Sequence, residues 1–137
     1  MHYSLLITFF YSMMYNPTLF SLFLHFKVAP EITADPQSIT TIEEVNVTFT
    51  CTATGNPLPT ISWTANASPI NARHNWKFSF SVNNTQLTVT NVNRNDSGEY
   101  RCVAYNSLGN ATSDAAYLNV HCEYRCSVYY SGVVHSQ

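Results

Sequence analysis

The sequence predicts an all-β domain, a sandwich or a barrel, on three observations from its central region. Apolar residues recur at period two in short runs, polar turn clusters separate the runs, and no helical period of useful length intervenes. In the first run Val47, Phe49 and Cys51 fall on one face, and Asn46, Thr48 and Thr50 on the other. Gly55-Asn56-Pro57-Leu58-Pro59 ends it, because proline has no N–H for a ladder and Gly and Asn favour turns. Ile61 and Trp63 then point inward with Ser62 outward, which makes Trp63 the natural centre of the core.

Phe78, Phe80 and Val82 alternate next, and Leu87 and Val89 follow a turn at Asn83-Asn84. Tyr100, Cys102 and Ala104 share a face before the turn Asn106-Ser107-Leu108-Gly109. Ala116, Leu118 and Val120 complete the inward side.

Composition agrees with strands joined by polar turns. The 137 residues suffice for one domain, Asn, Thr and Val are plentiful, and there are only four glycines. Six Lys/Arg stand against eight Asp/Glu, and they are scattered. A nucleic-acid partner is therefore not expected, since that footprint needs a basic stripe. Four cysteines and five Asn-x-Ser/Thr sequons, at Asn46, Asn66, Asn83, Asn95 and Asn110, point to the secretory route, where disulfides persist and Asn is glycosylated.

Three motifs in order carry a family resemblance. Asp96-Ser97-Gly98-Glu99-Tyr100-Arg101-Cys102 resembles the D-x-G-x-Y-x-C signature of immunoglobulin domains. The run from Cys102 to Gly109 resembles the C-x-A-x-N-x-x-G segment of the I-set, and Gly55 to Trp63 is similar to its G-N-P-x-P-x-I-x-W segment. The resemblance selects a sandwich of two antiparallel sheets and implies one inter-sheet disulfide, Cys51 to Cys102, packed beside Trp63.

It also implies structural roles. Tyr100 is the tyrosine corner, Asp96 meets a cation (Lys77 first, Arg73 second), Leu87 belongs to the core, and Gly98 and Gly109 take backbone conformations that side chains resist. After Trp63 the run Thr64-Ala65-Asn66-Ala67-Ser68-Pro69 departs from the family pattern, so the following edge strand is the least defined element.

The ends read differently, and the expected division is residues 1–28, 29–120 for the I-set domain, and 121–137. Residues 1–26 contain no Lys, Arg, Asp or Glu, yet Asn16-Pro17 splits the apolar block and no basic start precedes it. The readings are a signal or signal-anchor, a membrane helix, or sequence foreign to the domain. The tail is expected to be unstructured or foreign, and the whole a fragment. Cys122 and Cys126 are open to a second disulfide, to free thiols, or, with His121 and His135, to a zinc site. No metal is expected.

No sequence motif for phosphate, nucleotide or metalloprotease chemistry is present, and His74 alone among the histidines lies inside the domain. Glu43 and Glu44 are adjacent, so in a strand they face opposite sides and make no acid/base pair. No enzyme activity, cofactor or small-molecule substrate is expected. Trp76 and Tyr105 are candidates for a binding surface, with packing or incidental exposure as the plainer account. Asn46, Asn83 and Asn110 are the preferred glycan acceptors. Pro69 weakens Asn66, and the tight corner around Asp96 weakens Asn95.

The functional expectation is an extracellular or cell-surface module that binds other proteins, homophilically or heterophilically, within a larger multi-domain protein. The membrane enters only through a signal-anchor or absent segments. The alternatives are a structural module of an intracellular muscle-type filament, or the immunoglobulin module of a receptor kinase or matrix enzyme whose catalytic domain lies elsewhere.

Overall fold

The computed structural model describes residues 11, 14–24, 26–71 and 75–122. Expectations on Arg73, His74, Cys126, His135 and the tail beyond Cys122 lie outside these residues. The first element described from end to end is a helix, α1 (Pro17–Leu24). Pro17 suits the first helical position, and the Asn16 side chain caps the turn by accepting from Thr18 N at 3.1 Å. Eight residues rise only about 12 Å, well short of the roughly 30 Å of a bilayer core. No helix among the described residues is long and apolar enough to cross a membrane.

Eleven strands follow among the described residues: β1 (Val28–Ala34), β2 (Ile39–Ile42), β3 (Val47–Thr50), β4 (Thr52–Asn56), β5 (Thr60–Ala65), β6 (Ser68–Pro69), β7 (Phe78–Phe80), β8 (Gln86–Val89), β9 (Gly98–Asn106), β10 (Gly109–Thr112) and β11 (Ala116–His121). They form two layers. In one, β1 pairs β4 and β3 pairs β8, which pairs β7, all antiparallel. β3 and β4 are one line of chain broken at Cys51, whose N–H donates to Thr85 O at 2.8 Å. In the other layer the order is β2-β11-β9-β5-β6, with β10 beside the second half of β9.

The N-terminal segment serves both layers. After β1 the chain crosses over at Asp35 to Ser38, with Pro36 buried, and β2 runs parallel to β11 from Ile39 opposite Leu118 to Ile42 opposite His121. Side chains fix the crossing, since Asp35 Oδ1 accepts from Asp114 N and Ser38 Oγ from Tyr117 N, at 2.8 and 2.9 Å.

The core lies between the layers. Val47, Phe49, Ile61, Trp63, Leu87, Val89, Tyr100, Ala104, Ala116, Leu118 and Val120 are buried, so each inward set at period two faces the partner sheet. Two positions differ from the alternation. Val82 is fully exposed, because β7 stops at Phe80 and Ser81 begins a turn in which it accepts from Asn84 N at 2.9 Å. Val92 is fully buried although it sits in an irregular loop, held by its N–H to Val45 O at 2.9 Å. The edge strand after Trp63 is reduced to the two residues of β6.

Candidate interaction surface and the residues that hold it

The disulfide joins the layers at the centre of the core. Cys51 and Cys102 are bonded with their Cα atoms 6.5 Å apart, and both are fully buried. Trp63 is the ladder partner of Cys102, so its indole packs beside the bridge, and its Nε1 donates to Asn84 O at 2.8 Å. The indole thereby buries its apolar body without stranding its one donor. Phe49 stacks on Tyr100 with centroids 4.8 Å apart and lies 6.4 Å from Trp63.

At the other end of the sandwich a short 3-10 turn, Arg94–Asp96, is closed by a capping box with Asn93. Asp96 Oδ2 accepts from Asn93 N at 2.8 Å and pairs with Lys77 Nζ. The Lys77 and Asp96 side chains are only 14% and 13% exposed, so this pair is sheltered from water. The Tyr100 hydroxyl donates to Asp96 O at 2.9 Å. Burial, with the Asp96 carboxylate adding to it, pushes the Tyr100 phenol up to about 12.

Gly98 follows at φ +152°, and a Cβ built there would land on the Asn66 carboxamide. Asn66 is itself left-handed at φ 48°, and its Oδ1 accepts from Glu99 N at 2.9 Å. Gly109 is also left-handed, at φ +150°, but opens onto free space.

Two polar residues hold the remaining corners: Asn106, which the sequence marks only as a motif and turn residue, and Ser113, which it does not single out. Asn106 Nδ2 donates to Val28 O and Pro57 O at 2.8 and 2.9 Å, and its Oδ1 accepts from Leu108 N at 2.8 Å. One side chain thus ties together three segments of chain. Ser113 is buried where β10 gives way to β11, and its Oγ accepts from Cys102 N at 3.0 Å while donating to Asp114 O at 2.8 Å. Nothing local in the sequence marks that role, since its partner Cys102 N is delivered only when the chain at the end of β10 meets β9.

The outward faces differ in chemistry. The first layer presents Thr48, Thr50, Thr52 and Thr54 in line, with hydroxyl contacts of 2.9 Å between Thr48 and Thr88 and between Thr33 and Thr52. The second presents Glu99, Arg101, Val103 and Tyr105 along β9, and Tyr117, Asn119 and His121 along β11. Tyr105 and Tyr117 are 48% and 50% exposed. Arg101 pairs with Glu99 at 2.7 Å, which holds the Glu99 carboxyl below the usual range and raises the guanidinium. Tyrosine and arginine are the types enriched at protein interfaces, so this second face is the candidate interaction surface.

The layers part beside the first half of β5. A cleft of about 470 Å³ opens there between Leu58, Pro59, Ile61 and Val82, next to a smaller one of about 180 Å³ against Ile70, Phe80 and Tyr105. Trp76 is exposed at the opposite end.

All five sequon asparagines are exposed. Asn46 Oδ1 accepts from Asn91 N at 2.8 Å. Asn95 lies in the 3-10 turn, and Asn66 is the wedge against Gly98. No group of residues that could hold a metal ion occurs among the described residues, and no described cysteine is free. Cys122, the last described residue, is disulfide-bonded.

Two sheets pinned by a buried disulfide, an adjacent tryptophan and a tyrosine corner define an immunoglobulin-like sandwich. The chain belongs to the Immunoglobulin I-set domain family, whose profile matches residues 30–120. It is 36% identical over 113 residues to neuroglian of Drosophila melanogaster, covering 79% of this chain and 8% of that protein. It is 41% identical over 64 residues to neural cell adhesion molecule 1 of Bos taurus, covering 47% of this chain and 8% of that protein. Among solved structures, the tandem Ig repeats of Dlar superpose with a TM-score of 0.64 at 34% identity, over 69% of this chain and 49% of theirs. The chain therefore spans less than a tenth of the length of these two relatives.

Proposed function

We propose that this domain is a non-catalytic protein-recognition module of a larger extracellular or cell-surface protein, and that it binds partners through the outward face of β11, β9 and β5. The observation that carries the reading is the fully buried Cys51–Cys102 bridge in a domain related to adhesion molecules. Such bridges persist in oxidising compartments and are rare where thiols are kept reduced. The choice of face rests on exposed Tyr105 and Tyr117 flanking Arg101, against a threonine-coated face on the other layer. Asn46, Asn83 and Asn110 are the proposed glycan acceptors.

The test is non-reducing peptide mapping of the chain made in animal cells, combined with binding of the purified chain to animal cell surfaces. The reading expects Cys51 linked to Cys102 and saturable binding that the Arg101→Glu, Tyr117→Ala double variant loses. A reduced pair with no surface binding would favour the intracellular filament alternative.

A further inference from the structure

Asn110 and Tyr105 stand directly opposite each other in the β9–β10 ladder. Opposed residues of an antiparallel pair share a face, with Cβ atoms about 4.5 to 5.5 Å apart. Both side chains are open to solvent, Tyr105 to 48%. Thr112, the third residue of the sequon, lies on the same face opposite Val103. The acceptor amide, the sequon hydroxyl and an aromatic ring thus lie together on one side of one short hairpin.

The other acceptors lack this arrangement. Asn46 and Asn66 have their Oδ1 atoms engaged by Asn91 N and Glu99 N. Asn95 sits in the 3-10 turn beside Asp96, and Asn83 in the turn beside fully exposed Val82. Asn110 is exposed on a strand, and its carboxamide makes no hydrogen bond among the described residues.

We propose that Asn110 carries an N-linked glycan whose first N-acetylglucosamine lays its C–H face on the ring of Tyr105. The assignment rests on the extracellular reading above. Asn110 Nδ2 bonds to C1 of an oligosaccharide carried on a lipid diphosphate. The C1–O bond breaks with its electron pair going to the departing lipid diphosphate, and the amide nitrogen gives up one proton, so no redox partner is needed. The tyrosine ring is half in water, and a pyranose ring removes part of that apolar surface from solvent. The sugar occupies the β10 end of the face, which leaves partners the end carrying Arg101 and Tyr117.

The experiment places the full chain behind a cleavable secretion leader in animal cells and reads intact mass, peptide maps and melting temperature. Asn110→Gln and Thr112→Ala should each lose the mass of one glycan, and Thr112→Ser should keep it. Tyr105→Ala should lower the melting temperature by about 4 °C more in the glycosylated form than in the Asn110→Gln background. An unmodified Asn110 peptide alongside an intact Cys51–Cys102 link overturns this inference and leaves the extracellular reading standing. An unmodified Asn110 with a reduced cysteine pair overturns both. A glycan at Asn110 with equal effects of Tyr105→Ala in the two backgrounds overturns the packing on Tyr105.

Discussion

The carboxamide of Asn66 occupies the space that a side chain at Gly98 would need. Gly98 opens β9 at φ +152°, and Asn66 closes the turn after β5, so each constrains the other across the sheet. Gly98→Ala adds a Cβ to a backbone that resists it and drives that atom into Asn66, which together should cost about 2 to 4 kcal/mol. Asn66→Ala alone should cost about 1 kcal/mol, through loss of the bond from Glu99 N. The double variant should be more stable than the two single losses summed, because the clash is gone. Urea denaturation of the four proteins checks this, and simple additivity would place the cost of Gly98→Ala in the backbone alone.

Tyr100 makes stability depend on pH in the alkaline range. Its phenol is held protonated to about 12 in the folded domain, against an ordinary value of 10.0. Above pH 10 the unfolded chain releases this proton while the folded one keeps it, so the unfolded state gains. The stabilisation is complete below pH 10 and is lost as the pH climbs to about 12. Tyr100→Phe should be about 1 kcal/mol less stable near neutrality, having lost the bond to Asp96 O, and the gap should narrow through that window. Denaturation midpoints of both proteins from pH 8 to 12 measure it, and a constant gap would mean the phenol does not titrate differently on folding.

The bridge and the indole beside it should dominate stability. A link closing a separation of 51 residues contributes about 4 kcal/mol in the chain-entropy account, against a net of roughly 5 to 15 for a domain. Replacing both Cys51 and Cys102 by Ala should therefore leave little folded protein at 37 °C. Trp63→Ala removes a fully buried side chain and its donor to Asn84 O, with an expected cost of about 3 to 5 kcal/mol. Secreted yield and thermal denaturation report both. Normal export of folded Trp63→Ala would show that the core centre lies elsewhere.

The inward sets were legible in the sequence wherever a strand has one dry and one wet face, as at Val47 and Phe49 or Leu118 and Val120. Period two carries no stop signal, which is why Val82 continued the pattern into a turn. Val92 is buried in a loop that has no period at all. Asn66, Asn106 and Ser113 act through partners 33, 78 and 11 residues away, and no local pattern encodes a partner that topology alone delivers. The place of Asn66 against Gly98 likewise exists only once β5 and β9 have paired.

The Lys77–Asp96 pair should respond unequally to loss of either partner. Asp96 also accepts from Asn93 N, so in Lys77→Met its carboxylate keeps a hydrogen bond and faces an unbranched apolar side chain slightly shorter than that of lysine. In Asp96→Ala the ammonium of Lys77 is left largely sheltered from water with no carboxylate beside it, and the 3-10 turn loses its capping box as well. Removing one partner of a buried pair costs about 3 to 5 kcal/mol because the other charge is left uncompensated, and only Asp96 has a remaining donor, Asn93 N, to offset part of that cost. Asp96→Ala should therefore be destabilised by at least about 2 kcal/mol more than Lys77→Met, by guanidinium denaturation at neutral pH. Equal losses would mean that Lys77 reaches solvent once freed, and that the capping box, not the charge, is what Asp96 supplies to the base of the sandwich.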